Sequence, residues 1–140
     1  MNILKNILGR IFAAWALLTF ILTMLVILLP AWAMGLFPEP KRTTYFINLS
    51  RLWMAVWLPL AGIRLVVKGK EHFKKGENYV VVCNHNSFMD VPVTSPGIPG
   101  GNKTIAKSEL SKIPLFGIIY RRGSVLVDRK SEESRKKSYA

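Results

Sequence analysis

From Ile11 to Leu29 the chain carries nineteen residues, IFAAWALLTFILTMLVILL, without a charge and with Thr19 and Thr23 as the only polar side chains. Coiled as an α-helix, such a run is about 28 Å long, close to the roughly 30 Å hydrocarbon core of a bilayer. Lys5 and Arg10 precede it, and Trp15 and Trp32 stand near its ends, where amphipathic rings settle at a membrane surface. The rival reading is a cleaved secretory signal, with Ala31-Trp32-Ala33 as the cutting site. Against it, the apolar stretch is longer than an ordinary signal core, and a bulky Trp precedes the would-be cut. An uncleaved membrane helix over about residues 11–29 is therefore expected.

A second apolar run, Leu52–Ile63 (LWMAVWLPLAGI), is too short to span a bilayer and contains Pro59. With Trp53, Trp57, Arg51 and Arg64 about it, the run reads as an interfacial or re-entrant segment near headgroups. A buried core helix is the other reading of the same length. Residues 1–63 are thus expected to anchor the chain and residues 64–140 to fold outside the hydrocarbon. At about 75 residues, that second part is marginal for an independent core. The turn Pro38-Glu39-Pro40-Lys41-Arg42 brings bases to headgroup depth, and the Lys and Arg that follow favour a cytoplasmic side for the domain.

Charge narrows the partners. Twenty Lys and Arg against eight Asp and Glu give a net charge of +12. A surface so basic attracts phosphate, on anionic lipid or on nucleic acid. The apolar N-terminus decides for lipid, and no nucleic-acid partner is expected. The single cysteine, Cys83, excludes an intrachain disulfide and fits a reducing compartment.

After Ile63 the texture changes to short strands and turns. Arg64–Lys68, Tyr79–Cys83, Lys103–Ala106 and Ser124–Asp128 are β-branched runs between polar, Gly-containing stretches. A helical turn is expected around Ile113–Tyr120. Another helix should begin at Ser131, with the serine as cap and acids in the first turn. Strands interleaved with helices define an α/β layer.

The chemistry gathers where the run YVVVC enters Asn84-His85-Asn86-Ser87-Phe88-Met89-Asp90. In α/β folds, catalytic groups are commonly displayed at a strand's carboxyl end. His85 and Asp90 can meet only if the chain turns between them, and Asn86-Ser87 can supply the turn. Asp90, followed by Val91-Pro92, has the look of a helix cap with proline in the first turn. A carboxylate there can orient the imidazole and fix its tautomer, leaving the other nitrogen as a general base. By spacing alone, a capping Asp90 and a satisfied loop histidine explain the pair equally well. His72, Cys83 and His85 offer no fourth ligand, so no metal is expected.

The segment NHNSFMD behind a hydrophobic strand resembles the N-H-x-x-x-x-D signature of the glycerolipid acyltransferase family. Gly123-Ser-Val-Leu-Val-Asp-Arg129 is similar to that family's G-x-x-φ-φ-x-R block. Ala106–Leu110 and Ile113–Gly117 resemble the sequence linking the two. The order and spacing of these elements set the family reading above a non-catalytic basic membrane-binding module, which explains the charge and the anchor alone.

The resemblance implies an α/β acyltransferase domain behind N-terminal membrane helices, at the inner membrane of a bacterial cell. It implies acyl transfer from acyl-CoA or acyl-acyl-carrier protein to a lysophospholipid, lysophosphatidic acid in the first place or another lysolipid such as an acylated ornithine. No cofactor is implied. His85 would take the proton of the acceptor hydroxyl, and Asp90 would orient His85. Arg129, with Lys107, would grip the acceptor's phosphate; Gly123 would let the backbone pass close to the substrate, and Asn84 would join the binding set. Arg121 and Arg122 read equally as headgroup contacts or as a solvated face. The family's later acidic-Gly-Thr-Arg and proline-containing blocks do not occur by Ala140. The chain thus reads as an N-terminal fragment, expected to be inactive by itself.

Overall fold

In a computed structural model, which describes residues 3–84, 87 and 89–137, one helix runs from Ile3 to Ala33 (α1). It is long and apolar enough to cross a membrane. The helix overruns the apolar stretch at both ends, and a 3-10 turn, Met34–Leu36, follows it. Its two threonines cause no polar defect. Thr19 Oγ1 donates to Trp15 O at 3.0 Å and Thr23 Oγ1 to Thr19 O at 2.8 Å, so each hydroxyl is satisfied one turn back.

A second helix, Lys41–Leu60 (α2), folds back along α1 and begins well before the apolar run at Leu52. Three indole donors fix the antiparallel register. Trp15 Nε1 donates to Leu60 O at 2.9 Å, Trp57 Nε1 to Ala16 O at 3.2 Å, and Trp53 Nε1 to Thr23 Oγ1 at 2.9 Å. The ring of Phe20 packs 5.0 Å from both Trp53 and Trp57. Trp53 and Trp57 are both buried in the helix seam. An indole needs a single acceptor to enter an apolar contact, and α1 supplies one to each.

The hairpin also forms most of the core. Met24, Ile27 and Ala31 of α1 cluster with Phe46, Trp53, Met54, Trp57 and Leu58 of α2 and with Ala61. From the rest of the described chain, the buried cluster takes in only Ile119, with Met89, Val93 and Phe116 packed at its edge.

Beyond the hairpin come a short helix, Asp90–Thr94 (α3), and a β-α-β unit. Strand Thr104–Lys107 (β1) leads through a 3-10 turn, Ser108–Lys112, into helix Phe116–Gly123 (α4), and strand Ser124–Val127 (β2) returns parallel to β1. A last helix, Glu132–Lys137 (α5), starts as expected, with Ser134 N–H donating to the Ser131 hydroxyl at 3.2 Å. Ile119 places α4 against the hairpin, and Arg51 ties α2 to the loop before β1. Its guanidinium donates to Pro96 O at 3.0 Å and to Ile98 O and Gly100 O at 2.7 Å.

Two expected strands take no part in the sheet. Arg64–Lys68 and Tyr79–Cys83 have no ladder partner among the described residues, and Val66, Val80 and Val82 stand exposed. β-branched composition favours a pleated surface, but a ladder requires a neighbouring strand as well.

Glu39, between the two long helices, joins hairpin and sheet. Its carboxylate accepts from Lys103 Nζ at 2.6 Å, Arg42 Nη2 at 3.0 Å and Thr43 Oγ1 at 2.7 Å. The Lys103 hydrogen bond first, then that of Thr43, lowers the Glu39 pKa from 4.5 to about 2. A folded pKa below the unfolded one means that the stabilisation is complete above pH 4.5 and is lost as pH falls toward 2. With this side chain 37% exposed, salt should weaken the effect. Glu39→Gln is expected to lower the unfolding midpoint at neutral pH and flatten its decline between pH 4.5 and pH 2. Parallel acid profiles for variant and parent would refute this role.

Candidate active site

The β-α-β unit aligns two bases. Register pairs Lys107 with Val127, so Lys107 closes β1 beside the carboxyl end of β2. The chain leaves β2 through a turn in which Ser131 N–H donates to Asp128 O at 3.2 Å, and this turn carries Arg129. Ligands of parallel α/β sheets commonly bind outside the carboxyl ends of the strands. The Lys107 ammonium lies 3.5 Å from the Glu109 carboxylate. Glu109's own backbone N–H, with the Lys107 charge, holds that carboxyl below its usual range. Arg129 is exposed and has no ion pair among the described residues.

Tyr120 lines one cavity with these bases and escaped the sequence reading. Burial pushes its phenol pKa up, while the Lys107 backbone and the Arg129 charge pull it down. Phe116, Ile119 and Tyr120 follow the i, i+3, i+4 spacing of one helix face, and that period is the signal that could have found it.

In the His85–Asp90 motif, His85 lies outside the described residues. Asn84 is exposed. Asp90 is half-buried at the start of α3, and its role differs from the expected cap. Met89, which precedes α3, has no side-chain cap, and its N–H donates to Ser87 Oγ at 3.1 Å. Asp90 reaches back from three positions on, its Oδ2 accepting from Ser87 N–H at 3.0 Å. The two side chains thus close a local pair of hydrogen bonds just before the helix. The bond from Ser87 N–H ties the Asp90 carboxylate to Ser87.

A cavity of about 1000 Å³ opens between the hairpin and the β-α-β unit. Lys107, Tyr120, Gly123 and Arg129 line it on the sheet side, and Ser87 and Met89 on the motif side. Phe20, Trp53 and Trp57 supply much of its apolar wall. Three of the expected site residues therefore face one space, which Ser87 and Met89 also border. Gly123 also packs closely on the hairpin, since a Cβ there would meet Phe46 Cε1 at 2.6 Å.

The link between β1 and α4 is tightly turned. Leu115 has φ +62° and ψ −55°, and Phe116 N–H donates to Pro114 O at 2.6 Å, which closes a γ-turn around Leu115. A leucine in that region is strained by about 1–3 kcal/mol. Immediately afterwards Gly117 lies on the Ser111 carbonyl, where a Cβ would overlap the oxygen and come within 2.9 Å of its carbon. Among the described residues, no three His, Cys, Asp or Glu side chains converge as metal ligands would.

Lys107 and Arg129 thus lie at the carboxyl ends of two parallel strands on the wall of an apolar cavity, above a helical hairpin. Residues 64–140 match the family model described as Acyltransferase, and the chain belongs to that family. Human 1-acyl-sn-glycerol-3-phosphate acyltransferase alpha is 34% identical over 90 residues, covering 64% of this chain and 32% of the relative. The 1-acyl-sn-glycerol-3-phosphate acyltransferase of Cocos nucifera is 25% identical over 109 residues, 78% of this chain and 33% of the relative. That of Borreliella burgdorferi is 28% identical over 94 residues, 66% and 37% of the two chains. The chain thus spans about a third of the length of the curated relatives that it matches. No solved structure matches it.

Proposed function

We propose that the full-length protein transfers a fatty acyl group from an acyl thioester, acyl-CoA or acyl-acyl-carrier protein, to the free hydroxyl of lysophosphatidic acid, giving phosphatidic acid. The observation that carries this reading is the placing of Arg129 and Lys107 at adjacent strand ends on the wall of the apolar cavity. A phosphate with an acyl tail requires that pairing of charge and apolar surface. The relatives' names point to the same acceptor.

His85 takes the hydroxyl proton as the oxygen attacks the thioester carbonyl. The C–O bond forms, the C–S bond breaks, and the proton passes to the leaving thiolate. Asp90 orients His85 and stabilises the imidazolium. Arg129 offers the phosphate a planar two-donor fork, with Lys107 as a point charge beside it and Tyr120 in reach of the same anion. Gly123 keeps the backbone narrow at the cavity wall, and Asn84 completes the approach to His85. The hairpin holds the protein at the cell membrane, with the acyltransferase layer on the cytoplasmic side. The length and apolar character of α1 support this placement.

The test is thioester release in detergent micelles by the full-length protein, with lysophosphatidate as acceptor. Arg129→Lys is expected to raise KM for lysophosphatidate about tenfold or more and to leave the thioester KM near its original value. A rise confined to the thioester KM would move Arg129 to the donor site. Binding to anionic vesicles without thioester release would overturn the enzyme reading.

A further inference from the structure

A second hollow, of about 690 Å³, lies along α2 beside the cavity, with Met54 and Pro96 in the wall between them. Ala55, Leu58 and Pro59 of α2 make its apolar floor, and Leu65 and Val67 face them. The loop of residues 96–100, held by Arg51 through three carbonyl oxygens, closes one side. Arg51 is therefore occupied by the protein itself.

Arg64 and Lys70 also line this hollow. Both are exposed, and neither has an ion pair among the described residues. The acid next to Lys70, Glu71, is directed to His72, with 3.8 Å between Oε1 and Nε2. Two uncommitted cations thus border an apolar trough, on a helix packed against the apolar helix α1.

We propose that this hollow binds one anionic phospholipid drawn from the bilayer, its phosphate between Arg64 and Lys70 and an acyl chain along Ala55 and Leu58. A soluble phosphate would leave the apolar floor wet, and an uncharged chain would leave the two cations unmatched. An amphiphile with an anionic head uses both. The lipid is held without being turned over, because Arg64 and Lys70 are absent from the lining of the cavity that holds Lys107 and Arg129. This binding does not depend on the proposed reaction, and its readout is retention of lipid.

The experiment is native mass spectrometry of the full-length protein in detergent, with phosphatidylglycerol and phosphatidylcholine of matched chains in competition. The parent protein should retain phosphatidylglycerol about tenfold over phosphatidylcholine, since each base near a lipid surface contributes on the order of 1 kcal/mol. Arg64→Gln with Lys70→Gln should bring that ratio close to one. Ala55→Trp, which fills the trough from an exposed position, should reduce retention of both lipids. Lys130→Gln with Lys136→Gln removes two exposed bases elsewhere and should leave the ratio unchanged. An unaltered ratio in the Arg64/Lys70 variant, an equal loss in the Lys130/Lys136 variant, or undiminished retention in Ala55→Trp would each overturn the proposal. Displacement of the lipid by inorganic phosphate alone would do so as well, by reducing the site to an ion contact.

Discussion

In the full-length protein, His85→Ala should lower acyl transfer by a factor of about 100 to 10,000, the range that a positioned general base contributes. Asp90→Asn is the more informative companion. The Asp90 carboxylate accepts the Ser87 N–H at 3.0 Å, so it has a local structural role besides the catalytic one proposed for it. Asparagine retains an acceptor for that N–H but loses the charge that stabilises an imidazolium. The hydrogen bond from Ser87 N–H should persist, the unfolding midpoint should stay near that of the parent, and the rate should still fall steeply. Asp90→Ala removes both functions and should also lose about 1 kcal/mol of stability, the worth of the lost hydrogen bond. Rates for Asp90→Asn equal to the parent's would reduce Asp90 to its hydrogen bond with Ser87. A pH profile of kcat/KM whose acid limb moves in Asp90→Asn would place its effect on His85 rather than on folding.

Gly117→Ala should cost several kcal/mol, among the larger effects of a single methyl group. The added carbon would overlap the Ser111 carbonyl oxygen, and backbone cannot swing aside as a side chain can. To make room, α4 would have to lift from the 3-10 turn before it and take Ile119 and Tyr120 with it. Gly35→Ala is the control. A carbon there meets only the guanidinium end of Arg122, which is free to turn away. Thermal unfolding should therefore separate the two substitutions, with Gly117→Ala far below the parent and Gly35→Ala close to it. Equal midpoints would show that α4 is not held against that turn as described.

The residues that short-range rules govern were legible in the sequence. Ser131 caps α5, the runs around Ile105 and Val125 are strands, and the apolar run forms a long helix. Arg129 and Lys107 were paired through resemblance, and the parallel register brings them to neighbouring strand ends. The partners of Trp53 and Trp57 were not legible, because an interfacial tryptophan and a seam tryptophan have the same local sequence. An acceptor 30 or 41 positions away, at Thr23 or Ala16, makes the difference. Tyr120 was not legible as a site residue, because a tyrosine on the apolar face of α4 reads as core. The pairing expected of Tyr79–Cys83 failed for a related reason: composition marks a segment as able to pair, and only topology provides the neighbour.

The hairpin's part in the core limits how the protein can be taken apart. A membrane tag can ordinarily be exchanged for any helix of similar length and greasiness, but α1 is divided lengthwise. Val26 and Leu29 face outward and can drift among apolar residues, whereas Met24, Ile27 and Ala31 are fitted to α2 and α4. A graft that matched hydropathy and ignored that inner stripe would leave Trp53, Trp57 and Ile119 without their packing partners. Removing α1 to obtain a soluble catalytic piece would expose the same residues. Solubility and foldedness therefore pull in opposite directions along this one helix, and a practical compromise would polarise the outer stripe while leaving the inner one intact.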